Sequence, residues 1–297
     1  MKLSIVVTTK NAARTLERTL KSVRFADEIV VVDMMSSDET QLIARRFTDK
    51  VFTTADVGYV EPARNFSLSK AKGEWVLVVD ADEVVSATLR DQILQVIELD
   101  SNVVCYAIAR KNILFGKWVQ TAGWWPDFQP RLFQRGCVEW SDAIHSKPKV
   151  TGESVHFPAD EALAFEHYNY ESISEFVSRM DLYTTIAAQN KVGRDTIVEG
   201  PVDVFRREML QRLFPLRGID GGYRGLLLAF LQGFSEVVQA AKFWQLQRSE
   251  EIETKPETLL ALAELRAQLA YWIADEQMRN SNGIAALTWR FRRKLRL

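Results

Sequence analysis

The chain has 297 residues, of which 47% are hydrophobic and 26% charged, an ordinary globular composition for one large domain or a domain with an appendage. Its formal net charge of −1 excludes a global field that would steer nucleic acid or a membrane, so any such contact must come from a local patch. Two cysteines, Cys105 and Cys137, in a chain large enough to bury its own core read as reduced thiols.

The first residues, MKLSIVVTTKN, hold a short apolar run that soon turns polar, without a small-residue cleavage site. They predict a first strand, not a signal peptide. Leu3–Thr8 suits a strand buried on both faces. Asn11 is placed to cap a helix in which Leu16, Leu20 and Val23 fall at helical spacing. Ile29–Val32 predicts the second strand, ending in Asp33, and a Ser-Ser-Asp-Glu turn leads into a helix around Thr40–Phe47. Val51–Thr53 is a short third strand. Ala63–Ala71 reads as a helix stopped by Gly73, Trp75–Val79 as the fourth strand, and Ser86 as the cap of a helix to about Leu99.

This alternation predicts an α/β fold with a Rossmann-like, mostly parallel sheet and helices on both faces. Ligands of such a sheet lie outside the carboxyl ends of its strands. Thr8–Asn11, Asp33 and Asp80–Glu83 therefore share one edge.

Beyond residue 100, Val104–Ala109 and Arg131–Gln134 predict strands on either side of a loop, KWVQTAGWWPDFQP. From Ser172 the pattern is helical: Ile173–Asn190, Val202–Phe214, Leu226–Gln247 and Glu257 to about Arg279. The expected division is 1–170 and a helical C-terminal region, 171–297. No apolar run reaches the ~18 residues of a membrane-crossing helix. The longest, 225–244, is broken by Gln232, Glu236 and Gln239, so none is expected.

The chemistry starts at WVLVVDADE, residues 75–83, where three carboxylates crowd the end of an apolar strand. Asp80 and Asp82 point to one side of an extended segment, the oxygen pattern that Mg²⁺ or Mn²⁺ favours together with substrate phosphates. The bland alternative is a solvated turn capping the next helix, a role that suits Glu83 best. Asp33 lies where a doubly wound sheet meets a nucleotide's base or ribose, since Ser36, Ser37 and Asp38 are better placed as caps. Asp38 could hold Arg64 or face solvent. Arg64 is a candidate partner for a phosphate or for Asp80, because its guanidinium is a fixed fork of donors.

Together LSIVVTTKN, EIVVVDMMSSDET, ARNFSLSKAKGEW and VVDADE resemble a family 2 inverting glycosyltransferase of the GT-A fold, over roughly residues 1–170. The block GWWPDFQPRLFQRG…VEWSDAIHSKP is similar to the branch containing the lipopolysaccharide-core enzymes, which act on lipid-linked saccharide at the cytoplasmic face. The resemblance implies a nucleotide-sugar donor bound by residues 1–100, an acceptor half at 101–170, a divalent metal and inversion at the anomeric carbon. Met34 and Met35 replace the small residues common in the turn after strand two and crowd the base or ribose pocket. Many relatives carry His-Glu where this chain has His145-Ser146, so the catalytic base must lie elsewhere.

A one-step inversion needs a carboxylate to take the acceptor's proton. Asp127, in an aromatic loop, is the first choice; Asp142 follows, then Glu139. Trp124 and Trp125 could be a sugar platform or core. His145 and His167 could each complete the metal's coordination or touch the diphosphate, with His145 favoured by the matching block. Arg131 could grip a donor or acceptor phosphate.

The tail WRFRRKLRL, with Arg206, Arg207 and Arg212 upstream, fits a helical appendage resting on an anionic membrane surface. A helical hairpin packed on the catalytic domain or on a second subunit, giving a homodimer, is the alternative. A pI near 6.4 argues against a nucleic-acid partner. The expected location is the cytoplasm, peripheral on the inner face of its membrane. Competing readings are a nucleotidyltransferase, disfavoured by the glycine-free TTKNAART after strand one, and a non-catalytic carbohydrate-binding protein of the same fold.

Overall fold

A computed structural model describes residues 1–56, 58–99, 101–141, 148–193, 198–247 and 254–296. Two expected site residues, Asp142 and His145, lie outside the described residues. The chain divides into two units, 1–120 with 124–172, and 121–123 with 173–297.

The first unit opens with β1 (Leu3–Thr9), α1 (Leu16–Ser22), β2 (Glu28–Asp33), α2 (Thr40–Ala44), β3 (Val51–Thr53), α3 (Glu61–Lys70) and β4 (Trp75–Asp80). It continues through β5 (Glu83–Val84), α4 (Ala87–Val96), β6 (Val103–Leu114), β7 (Lys117–Trp118) and β8 (Asp127–Gln134). Short strands complete it: β9 (Val138–Glu139), β10 (Lys149–Val150), β11 (Glu153–His156) and β12 (Phe165–Tyr168).

The main sheet runs β3-β2-β1-β4-β8-β6-β12-β5. β1 is buried at every position between two parallel neighbours, and its pleat feeds two cores. Ile5 and Val7 pack on one face with Leu16, Leu20 and Ile93, whereas Val6 joins Val30, Val78 and Phe133 on the other. The expected parallel sheet thus holds for β3-β2-β1-β4. Past β4 the sheet is mixed, because β8 runs antiparallel to both β4 and β6 while β11 and β12 return parallel to β6.

Local expectations differ from the structure at three points. Asn11 does not cap α1, which starts after Thr15; its φ is 46° and its Oδ1 accepts from Ser37 N at 2.8 Å, tying the turn after β1 to the turn after β2. Glu83 is not at a helix start but sealed within β5, and Ser86 alone caps α4, accepting from Leu89 N at 3.0 Å. Asp127 opens β8 instead of lying in a loop, since β6 and β8 both extend beyond their apolar runs and pair Arg110 with Asp127.

The second unit comprises α5 (Ile173–Lys191), α6 (Pro201–Leu213), α7 (Gly222–Gln247), α8 (Lys255–Arg279) and α9 (Gly283–Leu295). Pro201 sits in the first turn of α6, where no N–H is needed, and a Thr254–Glu257 capping box starts α8. Met209, Leu210 and Leu213 pack with Ala229, and Phe214 stacks on Trp272 with centroids 5.4 Å apart. Gly225 is required by close approach: a Cβ there would lie 1.8 Å from Gly218 O. Gly218–Gln247 is long and apolar enough to cross a membrane by length and composition, with 22% of its most apolar window buried, despite its polar interruptions.

In α9, Ile284, Leu287, Phe291 and Leu295 recur at steps of three and four and are exposed, at 84%, 63%, 64% and 49%. The helix is held by Arg293, which donates to the buried Asp275 carboxylate of α8 at 2.5 Å. That contact fixes the rotation of α9 and leaves Arg290, Arg292 and Lys294 exposed around the apolar stripe.

Candidate active site

Strand register brings the expected residues to one edge of the first unit. Thr8 pairs with Asp80 and Thr9 with Asp33, so the ends of β1, β2 and β4 lie side by side. Asp33 is fully buried; its Oδ2 accepts from Ser36 N at 3.0 Å and Gln41 Nε2 at 2.7 Å. Its Oδ1 and the neighbouring Thr9 Oγ1 are buried with no hydrogen-bond partner among the described residues. An orphaned carboxylate oxygen at a strand's carboxyl end is costly unless a ligand's donor meets it. Thr8 Oγ1 instead bonds Ser67 Oγ at 2.9 Å, which anchors α3. Asp38 does not hold Arg64: it accepts from Ala13 N at 3.1 Å and Thr40 N at 3.0 Å. Met34 is buried, and Met35 points outward at φ 55°.

The positive charge that meets the carboxylates of WVLVVDADE comes from the protein itself. Arg64 Nη2 donates to Asp80 Oδ1 at 2.9 Å, and Arg131 Nη2 donates to Asp80 Oδ2 and, at 2.7 Å, to Glu83 Oε1. Asp80 N donates to Glu83 Oε2 at 2.9 Å. Burial opposes ionisation of Asp80, but Arg131 and Arg64 outweigh it and hold its carboxyl well below the usual range. Glu83 is pushed up by burial and by the Asp80 charge, against the pull of Arg131. Arg64 Nη1 and Arg131 Nε are buried without hydrogen-bond partners among the described residues.

A second polar chain crosses β6. Asp127 Oδ2 accepts from Arg110 Nε at 2.8 Å and Asn112 Nδ2 at 3.1 Å, and its Oδ1 from Gln129 Nε2 at 2.8 Å. Burial works against the charge, yet Arg110 and the two amides hold the carboxyl below its ordinary value. Asn112 Oδ1 lies 2.6 Å from His167 Nδ1, and His167 Nε2 lies 3.6 Å from Asp82 Oδ1. The register accounts for this: β12 sets His167 beside Asn112 on one side and Glu83 on the other.

Among the described residues, no group of three or more His, Cys, Asp or Glu side chains converges as a cation cage. Both Asp80 oxygens face guanidinium groups, and among the described residues Asp82 and His167 stand 3.6 Å apart beside them as candidate donors. One carboxylate and one imidazole fit a divalent cation that takes its remaining ligands from phosphate and water.

The other expected residues are more dispersed. Glu139 is exposed on β9 in register with Lys149. Trp124 and Trp125 are both half-buried, and Trp125 meets Trp118 edge-on at 5.3 Å. Sequence reasoning missed Arg110 and Asn112; the signal was Arg110-Lys111-Asn112 breaking an otherwise apolar strand.

Residues 4–147 match the family model described as Glycosyl transferase family 2. Along most of its length the chain is similar to an uncharacterized glycosyltransferase of Rickettsia felis, 25% identical over 94% of this chain and 99% of that protein. A Rickettsia bellii glycosyltransferase, also uncharacterized, is 26% identical over 86% of this chain and 92% of its own. The poly(ribitol-phosphate) beta-N-acetylglucosaminyltransferase TarS of Staphylococcus aureus is 33% identical over 35% of this chain and 20% of that one. Among solved structures, residues 1–349 of S. aureus TarS align over 85% of this chain and 93% of that chain, at 16% identity and a TM-score of 0.41.

Proposed function

We propose that the first unit is a metal-dependent inverting glycosyltransferase that moves a sugar from a nucleotide-sugar donor to a lipid-linked or polysaccharide acceptor of the cell envelope. The observation that carries it is the pair of orphaned buried oxygens, Asp33 Oδ1 and Thr9 Oγ1, at the carboxyl edge where a nucleotide's donors would meet them. The family match over residues 4–147 supports the same reading.

Asp33 and Thr9 hold the nucleoside, and the uncommitted Arg64 Nη1 is available to the diphosphate. Asp82 and His167 hold the cation, which when bound offsets the diphosphate's charge as it leaves. Asp80 acts through Arg64 and Arg131, positioning them. Asp127 is held ionised by three side-chain donors, which lowers its basicity and favours a positioning role. The base assignment therefore moves to Asp142, the next carboxylate of the sequence-level set. The exposed apolar stripe of α9, rimmed by Arg290, Arg292 and Lys294, supports a peripheral seat on an anionic, cytoplasmic membrane face, where a lipid-linked acceptor is found.

A thermal-shift screen of nucleotide sugars with and without Mn²⁺, followed by transfer assays on the donors that bind, tests the proposal. Metal-dependent stabilisation with transfer supports it. Binding without transfer to any acceptor favours a carbohydrate-binding protein, and no donor binding defeats the reading.

A further inference from the structure

Asn112 is fully buried in the middle of β6, and every polar atom of its carboxamide is engaged. Nδ2 donates to Trp124 O at 3.0 Å and to Asp127 Oδ2 at 3.1 Å. Both of those partners can only accept, because a backbone carbonyl and an ionised carboxylate carry no proton. Turning the amide over would set its oxygen against two acceptors, so the orientation is dictated by chemistry. Arg110 reinforces it by keeping Asp127 ionised.

The consequence falls on His167. Asn112 Oδ1 must accept across the 2.6 Å contact, so the imidazole carries its proton on Nδ1. With Nδ1 bearing that proton, Nε2 is the ring atom that faces Asp82 Oδ1, at 3.6 Å. A divalent cation seated there would take Asp82 Oδ1 and the Nε2 lone pair of the Nδ1–H tautomer as ligands.

We propose that Asn112 is a positioning residue that fixes His167 as its Nδ1–H tautomer, aims the Nε2 lone pair at Asp82, and so pre-forms the seat of a divalent cation. This deepens the reading of Asp82 and His167 as the cation's ligands and rests on it. Arg110, Asp127 and Asn112 form the outer layer of that seat, all held on β6 and β8, while Asp82 and His167 come from the β4–β5 turn and β12. An outer hydrogen bond of this kind commonly changes metal affinity by about 10- to 100-fold.

The test uses the full chain with ¹⁵N-labelled histidine. Only three histidines contribute, and His167→Gln assigns the signal. In wild type without metal, the ring nitrogen shifts report the Nδ1–H tautomer. Asn112→Leu loses that preference and binds Mn²⁺ alone, followed by electron paramagnetic resonance, at least about ten-fold more weakly. Asn112→Asp, which keeps an acceptor oxygen, retains the tautomer. An Nε2–H ring in wild type defeats the wiring without needing any variant to fold, as does an Asn112→Leu protein unchanged in tautomer and Mn²⁺ affinity. Failure of wild type to bind Mn²⁺ defeats the cation reading itself and, with it, the role given to Asn112.

Discussion

Arg131 Nη2 donates to Glu83 Oε1 at 2.7 Å with both side chains almost sealed from solvent, at 4% and 0% exposure. Removing one member of such a buried pair leaves an uncompensated charge and costs about 3–5 kcal/mol. Arg131→Leu is expected to lose stability in that range in urea unfolding. Arg131→Leu combined with Glu83→Leu is expected to lose less than the sum of the single changes. An additive double variant would mean that the pair is not coupled.

The acid side of the stability curve follows from the same cluster. Asp80 and Asp127 have lowered folded values, so their stabilisation is complete above the ordinary carboxylate range of about 4 and is lost as pH falls through their folded values. Glu83 acts oppositely: its raised value means that folding disfavours its ionised form relative to the unfolded chain, so stability increases as pH falls toward its ordinary value. Unfolding free energy is therefore expected to hold or rise slightly from pH 7 to about 5 and to drop below about 4. Glu83→Gln should flatten the upper limb alone; a variant with the wild-type curve would remove Glu83 from this account.

Asp33→Asn keeps the side chain's size but replaces the charge that a bound nucleoside's donors would meet. Calorimetric titration with a panel of nucleoside diphosphates is expected to show about a ten-fold or greater loss, the scale of one charged hydrogen bond. Asp38→Asn, whose carboxylate serves the turn of Ala13 and Thr40, is the control and should leave affinity near wild type. Equal losses in both would assign the effect to loop order.

For α9, co-sedimentation with vesicles is expected to show binding to anionic but not zwitterionic lipid, weakening with salt. Leu287→Glu with Phe291→Glu should abolish it, and Arg290→Glu with Lys294→Glu should reduce it about ten-fold or more, since each basic side chain contributes roughly 1 kcal/mol near such a surface. Variants that instead dissolve a concentration-dependent dimer, with no vesicle binding in wild type, would assign the stripe to a second copy of the chain.

The legible part of the site was the part built by local pattern. β1, β2 and β4 announce themselves as apolar, β-branched runs, and the residues ending them, Thr9, Asp33 and Asp80, are placed by parallel pairing alone. What sequence could not supply was the antiparallel β8 between β4 and β6, or the return of β12 beside β6. Those pairings join residues 51 and 55 positions apart, Asp80 with Arg131 and Asn112 with His167. Glu83 misled for the same reason: next to a helix in sequence it resembles a cap, and only the distant Arg131 explains a sealed carboxylate. In the helical unit, the sequence pattern located the long helices to within a few residues.

Asp80 is gripped from one side by α3 and from the other by β8, segments that enter the fold from separate stretches of chain. Residues 64, 80 and 131 are thus a single inherited character spread over three codons. A lineage that lost the carboxylate would strand the Arg64 guanidinium and leave Arg131 with Glu83 alone until both were replaced, so intermediates along that path are the least fit. The trio should be kept or exchanged as a set, and an isolated change at any one of the three would mark a chain already released from its task.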